Sequence, residues 1–206
     1  MKLIFSLPSS DDLVHLLKAW RFWLIAALLG AAIGAAAYYI FPPVYRARAT
    51  VNVDFHMEQA WPQNTDREQF YYLEREVRKL EEIAMSDAVL QSVASQVNGV
   101  TVQQLRSGKL QMDQPGSGGW HFFADDKNPK KAEELASAWA QAFADQVQAE
   151  VIVPTSDLEK YISVSATQTQ NLTAHRSISL SVYLLVGALG FLALSALGVL
   201  FFKTEK

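Results

Sequence analysis

Two apolar stretches without a single charged residue, Phe22 to Phe41 and Ser177 to Phe202, flank 135 mostly polar residues in this 206-residue chain. A helix rising about 1.5 Å per residue needs roughly 20 residues to cross a hydrocarbon core about 30 Å thick, so each stretch predicts a membrane-spanning helix. A cleaved leader ending near Ala35-Ala36-Ala37 is the weaker reading, because Asp11 and Asp12 precede the run and the run is too long for a signal-peptide core. Ahead of it, "SSDDLVHLLKAW" predicts a short amphipathic helix: Ser10 caps it, Asp11 and Asp12 suit the positive end of the dipole, and Leu13, Leu16, Leu17 and Trp20 share a face. That segment either lies along the inner membrane surface or begins the spanning helix itself.

After Pro42 and Pro43 the period changes to two. Tyr45, Ala47, Ala49, Val51, Val53 and Phe55 fall on one face, with Arg46, Arg48, Thr50, Asn52 and Asp54 on the other, which predicts a long strand with one buried face. From Asp66 helical spacing returns in Phe70, Leu73, Val77, Leu80 and Ala84. Ser86 then caps a second helix that buries Val89, Leu90, Val93, Ala94 and Val97 and stops at Asn98-Gly99. Thr101 and Gln104 have the spacing of a capping box. Lys109 to Asp113 and Trp120 to Ala124 are short strand candidates around the turn-rich "QPGSGG". A last helix starts at Asn128 and Pro129 and presents Ala132, Leu135, Ala136, Trp139, Phe143 and Val147 to a core. Val151 to Val153 read as a final strand.

The predicted fold class is thus an α+β membrane protein: two transmembrane helices around one extracytoplasmic domain in the order strand, helix, helix, strand, strand, helix, strand. The boundaries are 1–21 for the N-terminal segment, 22–41 for the first span, 42–153 for the domain, 154–176 for a membrane-proximal linker or helix, 177–202 for the second span and 203–206 for the tail. For 154–176, Leu158, Tyr161, Ile162 and Ala166 keep a helical spacing while the β-branched and polar residues suit an extended linker.

Charge sets the orientation. Lys2, Lys18, Arg21, Lys203 and Lys206 lie beside the spans and place both termini in the cytoplasm, while Arg46, Arg48 and Arg176 on the far side weaken the contrast. Residues 42–176 carry 13 Lys and Arg against 18 Asp and Glu, a net charge of −5, which disfavours nucleic acid as a partner. With no cysteine there is no disulfide framework and no thiol chemistry.

No catalytic constellation emerges. His15, His56, His121 and His175 lack a neighbouring Ser, Cys or carboxylate pattern that would make a base or a metal ligand. Glu81-Glu82, Asp125-Asp126 and Glu133-Glu134 are explained by helix surfaces and helix starts. "PGSGG" lacks the Lys-Ser/Thr of a phosphate loop, and "ADDKN" lacks the glycine and closing glutamate of a calcium loop. The expectation is a protein that is not an enzyme and carries no cofactor and no metal. Small residues in the first span are more suggestive: Gly30 and Gly34 form a GxxxG beside Ala27, Ala31 and Ala35, a candidate packing seam expected to join copies of the chain.

Taken in order, "DDLVHLLKAWRFWLIAALLG…FPPVYRARATVNVD", "SDAVLQSVASQVN" with "TVQQLRSGKLQM", and "FFADDKNPKKAEELASAWAQAF" resemble the Wzz-type chain-length determinant domain of polysaccharide co-polymerases over about three quarters of the chain. The resemblance makes Pro42, Pro43, Tyr45 and Ala47 a membrane-exit motif and Asp126, Pro129 and Ala132 the family's acidic-x-x-Pro-x-x-Ala helix motif. It implies a non-catalytic ring of copies in the bacterial inner membrane that regulates the length, polymerisation or export of O-antigen, capsule or exopolysaccharide. The implied partners are the bilayer and a membrane polysaccharide polymerase or export machinery. Two alternatives stay open, an adaptor for a cytoplasmic tyrosine kinase or transport ATPase and a scaffold of another envelope assembly. The chain departs from the family in having no long helical arm, no Pro-rich approach to the second span, and no kinase domain on its short tail.

Overall fold

The computed structural model describes residues 20–57, 66–114, 119–152 and 161–203. The chain divides into two compact units, Met1–Pro43 with Ile178–Lys206, and Val44–Ser177. In order, the elements are α1 (Trp20–Ile40), β1 (Tyr45–Asp54), α2 (Asp66–Ala84), α3 (Asp87–Gln96), helical turns at Val102–Gln104 and Leu105–Lys109, β2 (Leu110–Asp113), β3 (Trp120–Asp126), α4 (Pro129–Ile152), β4 (Ser163–Gln168), β5 (His175–Arg176) and α5 (Leu180–Lys203). The amphipathic helix and the cytoplasmic basic residues expected before Trp20, most of the "QPGSGG" turn and the last three tail residues lie outside the described residues.

The first unit is a pair of helices, α1 and α5, both long and apolar enough to span a membrane. The second is an antiparallel sheet in the order β2-β3-β1-β4, with β5 paired to the start of β1. The period-two pattern of β1 sets its register: Ala47, Ala49 and Val51 are fully buried and lie opposite Ala124, Phe122 and Trp120 of β3. Against this face packs α4, whose Ala132, Leu135, Ala136, Trp139, Phe143 and Val147 are all without exposure. Phe122 sits edge-on to Trp139 at 4.7 Å and 5.0 Å from Phe143, so aromatic rings fill the space between sheet and helix.

Local signals place the helix ends. Ser86 Oγ accepts the Val89 N–H at 3.4 Å, Thr101 and Gln104 close their capping box at 3.3 Å each way, and Gly99 takes φ +71° after α3. The Trp139 indole N–H donates to the Ala84 carbonyl at 2.7 Å, so α4 satisfies an orphan acceptor at the end of α2.

Three expectations are corrected. Val151 and Ile152 are the last residues of α4 and not a strand, because Val151 follows Val147 by one turn on the buried stripe and packing outweighs its β-branching. Residues 154–176 are neither helix nor linker where described: β4 and β5 extend the sheet, with Ile162 and Val164 buried beside a half-buried Ala166. On α2 Leu80 and Ala84 of the expected face are core and Val77 is partly buried against it, but Tyr72, Glu76 and Ile83 complete the buried set while Phe70 is 63% exposed; Glu76 is buried with Oε1 accepting from Arg75 at 2.9 Å and Lys79 at 3.0 Å.

Candidate functional site

Two constructions remain after the core is accounted for, one in each unit. In the helix pair, Ala26, Gly30 and Gly34 are the buried residues of α1, spaced four apart so that they form one ridge. A Cβ added at Gly30 would run into the Gly187 carbonyl and lie 2.7 Å from Phe191 Cβ, and one at Gly34 would run into the Tyr183 carbonyl. As α1 advances its contacts fall back along α5, so the helices are antiparallel and touch backbone to backbone. Tyr38 closes the seam edge-on to Tyr183 at 5.3 Å.

The GxxxG nominated for contact between copies is thus occupied by the chain's own second helix. Ala27, Ala31 and Ala35 flank the ridge and are partly buried. The second-span glycines Gly187, Gly190 and Gly198 lack the four-residue spacing and are a weaker signal, yet Gly187 meets the ridge, and Ala26, which belongs to it, is marked by no motif in the sequence. Ala26 extends the four-residue spacing one turn back and was legible there, whereas nothing separates Gly187 from Gly190 except its partner.

In the sheet unit, the two family-like motifs meet. Tyr45 pairs across the strands with Asp126 on one side and Arg176 on the other, and the Arg176 guanidinium lies 5.6 Å over the Tyr45 ring. Pro42 and Pro43 separate α1 from β1, and Ala47 is core. Asp126 Oδ1 accepts the Asn128 N–H at 3.0 Å while its Oδ2 accepts from Lys109 at 2.7 Å. Asn128 in turn accepts the Lys130 N–H at 3.0 Å, Pro129 opens α4, and Ala132 is buried. Burial raises the Asp126 carboxyl, but the Lys109 and Asn128 hydrogen bonds and the charges of Lys109 and Lys131 outweigh it and hold the group below its ordinary value. These motif residues therefore build the start of a helix and one end of a sheet.

On the face of β1 turned from the core, Arg46 donates through Nε and Nη2 to both oxygens of its cross-strand partner Asp125, at 2.8 and 2.7 Å. This hydrogen bonding, opposed by burial, raises the Arg46 pKa. Phe123 stands opposite Arg48, and the Arg46 guanidinium lies 5.7 Å over its ring. One register further, His121 is 3.4 Å from the Thr50 hydroxyl, and burial together with the Arg48 charge lowers its pKa against the pull of Asp113. At the Arg46 end opens a pocket of about 420 Å³ lined by Arg46, Arg48, Phe123, Leu172, His175 and Arg176 among others, with no carboxylate in its lining. In the sequence Arg46, Arg48 and Arg176 only weaken the charge contrast across the spans, and nothing there shows that β5 brings the third beside the first two.

Among the described residues no three His, Asp or Glu side chains converge as metal ligands would. No protein-family model matches the chain, and no curated protein matches it.

Proposed function

We propose that this chain is a two-span membrane protein of the bacterial inner membrane, its α+β unit held outside the cytoplasm, which assembles in several copies and regulates the length, polymerisation or export of a surface polysaccharide without itself catalysing a reaction. The observation that carries the membrane part is the exposure of apolar side chains on the helix pair. Leu24, Ile25, Leu28 and Ile33 on α1 and Val182, Leu185, Val186 and Leu189 on α5 are each about half exposed. Removing such a side chain wholly from water is worth about 1.5–3 kcal/mol. At half exposure, eight of them come to roughly 6–12 kcal/mol, which rivals the whole stability of an ordinary domain. A helix pair in water would bury that surface; a bilayer supplies it instead.

The polysaccharide part rests on the resemblance of the motif order, and it is supported by the pairing of Tyr45 with Asp126, which joins the two most distinctive motifs at one end of the sheet. A polymerase-associated regulator needs a folded platform beside the membrane and no reactive centre, and the core packing described above suits that task. Deleting the gene and running the host's surface polysaccharide on a gel tests the reading. Loss of the normal length distribution is expected; an unchanged amount and distribution refutes it.

A further inference from the structure

We propose that the pocket at the Arg46 end of the sheet binds the phosphate group of an anionic membrane lipid. This deepens the preceding proposal and rests on its membrane part. Chain connectivity sets the location. At no more than about 3.5 Å per residue, Arg46 lies within roughly 20 Å of the end of α1 and Arg176 within about 14 Å of the start of α5. If those helices span a bilayer, chain connectivity keeps the pocket within reach of the headgroup layer.

The chemistry fits a phosphate. Residues 42–176 are acidic as a whole, yet three arginines and no carboxylate line this pocket. Arg48 makes no hydrogen bond or ion pair with any described residue, and it is exposed. Arg46 is held in place by Asp125 through Nε and Nη2, which leaves the Nη1 hydrogens directed away from that carboxylate. A pre-oriented guanidinium beside one that has no partner among the described residues is the arrangement that grips a phosphate by parallel N–H donors. Phe123 and Leu172 supply an apolar wall for the glycerol and first methylenes. The arginines that weakened the charge asymmetry across the membrane thereby acquire a role.

Binding is measured with the full-length protein in a neutral detergent, titrated with short-chain phosphatidylglycerol, short-chain diacylglycerol or inorganic phosphate. Phosphatidylglycerol is expected to bind in a salt-sensitive manner and diacylglycerol to bind at least tenfold more weakly. Arg48→Gln should weaken phosphatidylglycerol by about tenfold, the value of one hydrogen bond to a charged group. Arg48→Lys should recover part of that loss. Arg106→Gln, which removes an arginine paired with Asp87 outside the pocket, should change nothing. Equal affinity of Arg48→Gln and the native chain, or equal affinity for diacylglycerol, overturns the inference. Inorganic phosphate binding as tightly as phosphatidylglycerol overturns the lipid as the source. Alkaline extraction of native membranes is run in parallel: release of the chain refutes the membrane reading, whereas retention with unaltered Arg48→Gln binding refutes the pocket alone.

Discussion

Gly187→Ala and Gly190→Ala form a matched pair, three residues apart on α5, that isolates the backbone contact between the two apolar helices. Both changes add one methyl group to a helix and both gain about 0.5–1 kcal/mol of backbone propensity. They differ in what the methyl meets. At Gly190 there is nothing within 4 Å, whereas at Gly187 the new carbon would run into the Gly30 carbonyl oxygen and lie 3.1 Å from Gly34 Cα. Those are backbone atoms, so no rotamer change relieves the clash and the helices must separate by about 1 Å along the seam. Overpacking of this kind costs typically 1–3 kcal/mol, and a gap approaching 1 Å forfeits up to half of each dispersion contact on the ridge. The expected outcome is Gly187→Ala destabilised by about 1–2 kcal/mol net and Gly190→Ala unchanged or slightly stabilised. The absence of native cysteine permits two reporter cysteines at exposed positions Tyr39 and Val182, so energy transfer between dyes follows separation of the helices during detergent-induced unfolding. Equal midpoints for the two variants would refute a backbone-to-backbone seam.

In the sheet unit, Trp139→Phe removes the donor to the Ala84 carbonyl and part of a fully buried side chain; about 2–4 kcal/mol of loss is expected in thermal or denaturant melts of the full chain in detergent, and less than 1 kcal/mol would mean the indole hydrogen bond contributes nothing. Asp126 has its folded pKa lowered, so its contribution is present above the ordinary carboxylate range near pH 4 and is lost as pH falls through the folded value. Native chain should therefore lose about 1 kcal/mol more than Asp126→Asn on going from pH 6 to pH 3, a figure discounted because Lys109 is partly exposed; parallel melting curves across that range would contradict it. Thr101→Ala deletes one half of a capping box and should cost about 1 kcal/mol by the same melts, with no cost meaning that Leu105 alone fixes the turn.

What could be read in the sequence was local. The alternation of β1, the caps at Ser86 and Thr101, the stop at Asn98-Gly99 and the Asn128-Pro129 start each need only a few neighbouring residues, and each is where the pattern put it. The misreadings share a different cause. Ile162, Val164 and Ala166 alternate as a strand does, but Leu158, Tyr161 and Ile162 also satisfy a helical spacing, and only hydrogen bonding to β1 more than a hundred residues earlier decides between them. A two-residue strand such as β5 has no period to detect. Burial of Glu76 leaves no mark in the pattern, because burying a carboxylate is unfavourable until flanking cations from its own helix offset it. The arginine pocket was hidden for the same reason as β5, since its members become neighbours only when the last strand closes on the first.

That closure gives the two units a shared energetic logic. Ser177 N–H donates to the Val44 carbonyl at 2.9 Å and Tyr45 pairs with Arg176, so the first and last residues of the sheet unit are held as strand neighbours. The glycine seam holds the flanking helices together by an independent set of contacts. Both sets close the same covalent loop, and the entropy of closing a loop of this length is lost once, whichever set forms first. Each therefore makes the other less costly to form. The glycine seam, together with the pairing of β4 on β1, then lets the sheet end on a strand of only two residues, which by itself has too few hydrogen bonds to hold two chain ends together.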